Sequence, residues 1–222
     1  MRADDFEAQA PAVAPSRPPD RHPVLLVHGI WKSGAAFGRM ARYLRERGFE
    51  VHALDLVPND GAASLEELAA QLAAYVDANL PPAAPLDLVG FSMGGVVSRL
   101  YVQRLGGAAR VRRLVTISAP HHGTATAYLS RTPGGVQMRP GSALLAELNG
   151  DLSALERIDV TTLWTPLDLM IVPPDSSRLP IGREVLVAAP LHALMLHDPR
   201  ALRAVAESLS APLRARPTAR SA

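Results

Sequence analysis

The residues with the clearest chemical potential form a Gly-x-Ser-x-Gly pattern, in which Gly90 and Gly94 flank Ser92. The pattern follows a short predicted strand, residues 86–89, and precedes a helical pattern of apolar residues. A serine turned sharply between a strand and a helix has strained backbone angles, and glycine neighbours leave room for that turn. The helix then directs its amino end, with unpaired N–H groups, towards the serine. We therefore predict that Ser92 is a nucleophile.

A nucleophilic serine also needs donors for the negative charge that develops on the attacked carbonyl oxygen. We expect these donors to be the backbone N–H groups of Met93, directly after the nucleophile, and Ile30, directly after the first strand. Losing one such donor typically costs about 3–4 kcal/mol of transition-state stabilisation. His28 lies close to Ile30, and we expect it to orient this loop through hydrogen bonds instead of acting as the base.

The base and its acid partner are expected later in the chain, in the order Ser, acid, His. Asp168 follows the predicted strand 160–164 and is the predicted acid, because a charge among apolar neighbours needs a partner. Asp159 and Asp175 are weaker alternatives. His192 is the predicted base because it lies closest to the end of the last strand. His197 is the alternative, although it directly precedes the Asp198 cap of the last helix.

The elements that must position these residues alternate along the chain from residue 23 onward. The predicted strands are residues 24–27, 49–54, 86–89, 111–117, 160–164 and 184–187. Their alternation with helical patterns predicts a three-layer α/β fold, with a mostly parallel sheet of about six strands and helices on both faces. Residues 121–157, here called the excursion, break the alternation and contain one short helical run, 144–148. We expect the excursion to form a pocket wall, because loops at the carboxyl ends of parallel strands build the site.

Length and composition limit the kinds of nucleophile, metal site and domain organisation that are possible. The chain has 222 residues, of which 48% are hydrophobic, and it contains no cysteine. A thiolate nucleophile and cysteine-ligated metals are therefore excluded. We predict one domain, residues 23–210, between a flexible lead-in, 1–22, and a flexible basic tail, 211–222.

The basic character of the chain does not indicate a nucleic-acid partner. Lys32 is the only lysine, and the pI near 9.4 comes from arginines that are mostly interspersed with acids. We see no secretory signal and no apolar run that approaches the roughly 18 residues of a membrane helix. The protein is therefore expected to be cytoplasmic and without a stable membrane anchor. Its oligomeric state is left open.

The chain resembles the α/β-hydrolase superfamily, and within it the compact bacterial lipases and esterases with little or no lid. The resemblance runs from about residue 23 to 209. It is carried by His-Gly-Ile at 28–30, Gly-Phe-Ser-Met-Gly-Gly at 90–95, Pro-His-His-Gly-Thr at 120–124, Asp-Leu-Met-Ile-Val at 168–172 and Leu-His at 191–192. The resemblance implies the same roles as above, which are Ser92 as nucleophile, Asp168 as acid, His192 as base, and Ile30 and Met93 as oxyanion donors.

Two details qualify the resemblance. Phe91 replaces the histidine often found before the nucleophile of such lipases, which favours an esterase over a true lipase. His121 and His122 are expected to be structural, with a substrate contact as the alternative for His122.

The predicted function is that of a serine carboxylic-ester hydrolase, which forms an acyl-enzyme and needs no metal or cofactor. The substrate is expected to be a small-molecule ester or lipid with an apolar acyl group, contacted by Trp31, Leu167, Met170 and Leu191. An acyltransferase, a thioesterase or a lactonase would use the same triad. A non-catalytic binding protein on a hydrolase scaffold is the alternative from another class.

Overall fold

A computed structural model describes residues 21–214 of the chain. At its centre is a single sheet of six strands in the order β2-β1-β3-β4-β5-β6, and every neighbouring pair is parallel. The strands are β1 (Val24–Val27), β2 (Val51–Leu54), β3 (Leu86–Phe91), β4 (Val111–Ile117), β5 (Asp159–Trp164) and β6 (Arg183–Leu186). The predicted α/β sheet is thus confirmed and is parallel throughout.

Helices cover both faces of the sheet. They are α1 (Gly38–Arg45), α2 (Leu65–Asn79), α3 (Met93–Arg104), α4 (Pro133–Gln137), α5 (Ala143–Gly150), α6 (Ser153–Glu156) and α7 (Pro199–Ser210). One apolar core lies between the sheet and α1 with α7. The other lies between the sheet and α2, α3, α5 and α6. These two cores are the reason that β1 and β3 are buried along their whole length, since apolar residues there point into both layers.

The two edge strands differ from the central ones. β6 is four residues long, lies at one edge of the described sheet and has mostly exposed side chains. Its chain continues through the loop that carries the predicted base, and therefore this edge contributes directly to the candidate site.

The largest differences from the predicted elements occur at a turn and in the excursion. Phe49 is buried, but its N–H donates to Leu44 O as part of the turn after α1, and β2 begins only at Val51. The excursion contains α4 and α6 besides the predicted helical run, which is α5. Helix α4 includes Gly134, where a Cβ would lie 2.8 Å from Ala63 O. This close approach explains the glycine at 134, and the Gly134 N–H also donates to Gly61 O at 3.0 Å, so contacts with another loop accompany a helix that glycine disfavours.

The two ends of the described chain lie near the amino ends of strands. His22 is buried, with its Nδ1 3.3 Å from Asp87 Oδ1, and Arg113 Nη1 donates to Asp87 Oδ2 at 3.0 Å. Arg214 Nε donates to Asp159 Oδ1 at 2.7 Å. The predicted flexible lead-in and tail, 1–22 and 211–222, otherwise lie outside the described residues.

Candidate active site

Ser92 occupies the turn between β3 and α3, and its backbone adopts φ 53° and ψ −124°. This conformation is rare for a residue with a side chain and typically costs about 1–3 kcal/mol. The glycines on either side make the turn possible. A Cβ at Gly90 would lie 2.6 Å from the Cα of Gly95, and a Cβ at Gly94 would overlap the carbonyl oxygen of Val27. The predicted nucleophile therefore sits on a sharp elbow directly above the sheet.

The loop after β1 packs against this elbow. A Cβ at Gly29 would lie 2.9 Å from the Cβ of Ser92, so only a glycine allows the loop to come this close. Ile30, the next residue, is partly buried, and Met93 is fully buried at the first position of α3. The two segments that carry the predicted oxyanion donors are therefore neighbours on either side of Ser92.

His28 holds the loop after β1 in place. It is fully buried, its Nδ1 donates to Gly29 O at 2.8 Å, and its Nε2 accepts the N–H of Leu56 at 2.9 Å. Both ring nitrogens are thus engaged with backbone, in a single neutral tautomer. Burial lowers the pKa of His28, against the opposing effects of Gly29 O and the charge of Asp55. These contacts agree with the expected orienting role.

Asp168 lies in the loop after β5 and is 3% exposed. Its Oδ1 accepts the N–H groups of Met170 and Ile171, each at 2.9 Å, and its Oδ2 faces His192. Burial raises the pKa of Asp168, but the hydrogen bond and charge of His192 and the two N–H groups outweigh it and leave the pKa below its ordinary value. The carboxylate is therefore held ionised and aimed at the histidine.

His192 begins a 3-10 helix, His192–Leu196, in the loop after β6. Its Nδ1 lies 2.7 Å from Asp168 Oδ2, a distance typical of a short charge-assisted hydrogen bond. Its ring also packs against that of Phe91, the residue before Ser92, with the ring centroids 4.7 Å apart. With Nδ1 engaged by Asp168, Nε2 is the nitrogen left to exchange a proton with a nucleophile.

The alternative acids and the alternative base have other surroundings. Asp159 pairs with Arg214, and Asp175 is exposed in a short 3-10 helix, Pro174–Ser177. Asp198 caps α7 and binds Arg200, which lowers the pKa of Asp198 to about 2. His197, just before it, ends the 3-10 helix that His192 begins.

The four predicted substrate contacts are apolar side chains that the fold leaves exposed. Trp31, Leu167, Met170 and Leu191 expose between 40% and 64% of their surface. They lie in the loops after β1, β5 and β6, and the carboxyl ends of parallel strands share one edge of the sheet. Exposed apolar side chains at the edge that carries Ser92 and His192 are suited to an apolar ligand. A separate cavity of about 550 Å³ lies on the excursion and includes none of these residues.

A buried polar cluster joins α3, the helix that follows the elbow, to the excursion. The Arg99 guanidinium on α3 is fully buried and donates to Leu148 O at 2.9 Å and Asn149 Oδ1 at 3.0 Å. It also contacts His121 Nδ1 at 3.4 Å, and His121 Nε2 lies 2.9 Å from Thr116 Oγ1. Burial lowers the pKa of His121 far below its usual range, helped by the nearby charge of Arg99, and burial lowers the pKa of Arg99 to about 10. The cluster agrees with the structural role expected for His121.

The two buried neutral histidines predict a stability that depends on pH. The pKa values of His28 and His121 are lower in the folded chain than the ordinary value of 6.5. The unfolded chain therefore binds more protons below pH 6.5, and the free energy of unfolding decreases as the pH falls through this range. Each histidine contributes at most about 1.4 kcal/mol per pH unit. Urea unfolding at several pH values from about 7.5 down to about 5 measures the slope.

A variant isolates the contribution of His121. Gln cannot titrate, so His121→Gln is expected to unfold with a shallower dependence on pH than the parent chain. The carboxylates of Asp168 and Asp198 have lowered pKa values and change the free energy of unfolding only below about pH 4. They therefore do not contribute to the slope measured between about pH 7.5 and 5. An unchanged slope in the variant would contradict the assignment of His121 as a buried neutral group.

One contact of the site was not predicted from the sequence. In the sequence, Phe91 was noted only as a departure from the lipase pattern. In the structure, its ring packs against that of His192, the predicted base. Nothing in the local sequence around Phe91 specifies this contact.

Comparison with known proteins gives a family and a fold. A family model described as palmitoyl protein thioesterase matches residues 23–177, which include Ser92 and Asp168 but not His192. No curated protein matches the chain.

Solved structures agree on the fold. The mature lipase BlEst2 of Bacillus licheniformis is 17% identical, with a TM-score of 0.70 over 83% of this chain and 90% of that one. Lipase B of Aspergillus fumigatus is 16% identical, with a TM-score of 0.73 over 87% of this chain and 53% of that one. A thermophilic esterase of Thermogutta terrifontis is 20% identical, with a TM-score of 0.60 over 85% and 89%. At this identity the likeness concerns the α/β-hydrolase fold.

Within residues 21–214, no helix is both long and apolar enough to span a bilayer. In the same range, no three His, Cys, Asp or Glu side chains form a group that could hold a metal ion.

Proposed function

This chain belongs to the palmitoyl protein thioesterase family, and from that premise we propose that it hydrolyses acyl esters through a covalent acyl-serine at Ser92. The single observation that carries the proposal is the 2.7 Å contact between His192 Nδ1 and Asp168 Oδ2, next to the serine elbow. The exposed apolar side chains around the site favour an apolar acyl group. The expected cytoplasmic location stays a prediction.

In the proposed reaction, Ser92 Oγ attacks the acyl carbonyl carbon while His192 Nε2 accepts the hydroxyl proton. Asp168 keeps the imidazole in the required tautomer and stabilises its cationic form. The carbonyl oxygen becomes negatively charged and is stabilised by the N–H groups of Met93 and Ile30. When the bond to the leaving group breaks, His192 returns the proton to it. Water, deprotonated by His192, then releases the acid and regenerates Ser92.

A thioester is the second candidate substrate, and the family match favours it. The same triad serves both bonds, because the acyl carbonyl is attacked identically. A thiolate leaves more readily than an alkoxide, and the demand on His192 as a proton donor is therefore smaller for a thioester. The two candidates differ in which bond is cleaved faster, a difference that substrates can measure.

Matched substrates test the proposal. An oxygen ester and a thioester of the same acyl group, in a series of increasing chain length, would be compared by kcat/KM. We expect both to be cleaved and kcat/KM to rise with chain length. A fluorophosphonate should label the chain once, on the peptide that contains Ser92. Hydrolysis of neither substrate, together with no labelling, would refute the proposed function.

A further inference from the structure

The acid loop, residues 165–177, is fastened to another part of the chain by a series of hydrogen bonds. Its partner is the threonine segment, residues 122–126, which begins the excursion after β4. The N–H of His122 donates to Ser176 O at 3.1 Å, and the N–H of Ala125 donates to Val172 O at 2.8 Å. Ser176 Oγ donates to Gly123 O. The two loops therefore pair along their length, although about 45 residues separate them in the sequence.

Thr124 is the residue of the threonine segment whose side chain binds the acid loop at two places. It is 5% exposed, and its hydroxyl makes two hydrogen bonds to the backbone on either side of Ile171. The hydroxyl donates to Met170 O at 2.8 Å and accepts the N–H of Val172 at 2.9 Å. A single oxygen thus fixes the backbone immediately after Asp168 from outside the loop.

The Asp168 carboxylate fixes the same backbone from inside. Its Oδ1 accepts the N–H groups of Met170 and Ile171, while its Oδ2 faces His192 Nδ1 at 2.7 Å. The orientation of the carboxylate therefore depends on where the backbone of residues 170–172 lies, and the Thr124 hydroxyl is one of the groups that hold this backbone in place.

We infer that Thr124 is a positioning residue of the active site, which aims Asp168 at His192 by holding the backbone of residues 170–172. The inference rests on the proposed function, because it assigns Thr124 an effect only through the acid. Geometry errors of about 1 Å at a supporting residue can reduce rates by about 100-fold. A hydroxyl that both donates and accepts is the group this position requires.

The decisive variant is Thr124→Val, which keeps the shape of the side chain and removes both hydrogen bonds. The Thr126 hydroxyl also donates to Met170 O, at 2.7 Å, so the valine mainly deprives the Val172 N–H of its acceptor. We expect kcat to fall by about 10- to 100-fold with little change in KM. Thr124→Ser keeps the hydroxyl and should restore kcat to within about 3-fold of the parent value. Thr161→Val makes the same change at a buried position in β5 and should leave kcat within about 2-fold.

A double-mutant cycle with Asp168→Asn separates positioning from general destabilisation. Asp168→Asn alone should lower kcat by about 10⁴-fold, and adding Thr124→Val should then change kcat by less than about 2-fold. A merely structural role would give the same loss in both backgrounds. If the valine variant does not fold, Thr124→Ala takes its place in the same cycle.

Each outcome has a distinct meaning. Parental kcat in Thr124→Val, or equal losses with and without Asp168, would overturn the inference while leaving the proposed function intact. Parental kcat in Asp168→Asn would instead refute the proposed triad. Non-additive effects of Thr124→Val and Asp168→Asn on kcat, together with a near-parental kcat in Thr124→Ser, would support both the inference and the proposed function.

Discussion

Replacing Ser92 by alanine is expected to lower kcat for ester hydrolysis by roughly 10⁴- to 10⁶-fold, because no other group in the proposed mechanism can form the acyl-enzyme. KM should change little, since the lost oxygen contributes to the transition state and not to binding of the acyl group. The variant should also lose fluorophosphonate labelling completely. Steady-state kinetics with a p-nitrophenyl ester and mass spectrometry of the labelled chain measure these two effects.

The fold should tolerate this substitution, which makes the result interpretable. Alanine has the same Cβ as serine and therefore the same backbone strain at φ 53°. Ser208→Ala in α7 is a matched control, because that hydroxyl is also buried but lies in a helix on the opposite layer and donates to Ala204 O at 2.7 Å. Equal activity of Ser92→Ala and the parent chain would exclude Ser92 as the nucleophile.

The second large effect is expected at the base. His192→Ala should reduce kcat by roughly 10⁴- to 10⁶-fold, because the Ser92 proton then has no acceptor aligned by Asp168. His197→Ala should retain kcat within about 3-fold, since that side chain belongs to the end of the 3-10 helix. The rate of fluorophosphonate labelling should follow the same order, because labelling requires an activated hydroxyl.

This pair of variants decides between the two histidines of one loop. Both substitutions remove the same atoms within six residues of each other, so differences in expression or folding are largely controlled. Loss of activity in His197→Ala with retention in His192→Ala would assign the base to His197. It would also mean that the short Asp168 contact of His192 has only a structural function.

The sheet could be predicted because each central strand is recognisable from its own residues, without knowledge of the strands it pairs with. Residues 24–27, an apolar run, and residues 111–117, rich in β-branched and apolar residues, form β1 and β4 with the predicted bounds. Phe49 misled the prediction because a buried aromatic in a turn has the same sequence appearance as one in a strand. Helix α4 was not predicted, and its Gly134 N–H donates to Gly61 O at 3.0 Å, a contact with a distant loop that a local pattern does not contain.

In the site, too, the order of residues along the chain was predictable, whereas contacts between loops distant in sequence were not. Chain order and strand ends sufficed to predict a Ser, an acid and a histidine, and Asp168 and His192 do lie in contact. The contact of Phe91 with His192 and the hydrogen bonds of Thr124 to the acid loop were not predictable in this way. Both join loops that are distant in sequence, and nothing in either local pattern specifies the partner.

The exposed edge strand β6 has a consequence for how the protein loses activity under stress. A four-residue strand with one unpaired side in the described sheet should open at a lower free energy than β1, β3 or β4, which are buried in the centre. Such partial opening would carry His192 away from Asp168 while the central strands stay paired. Inactivation should therefore begin at lower urea concentrations than global unfolding, and amide hydrogens of β6 should exchange with solvent before those of the central strands.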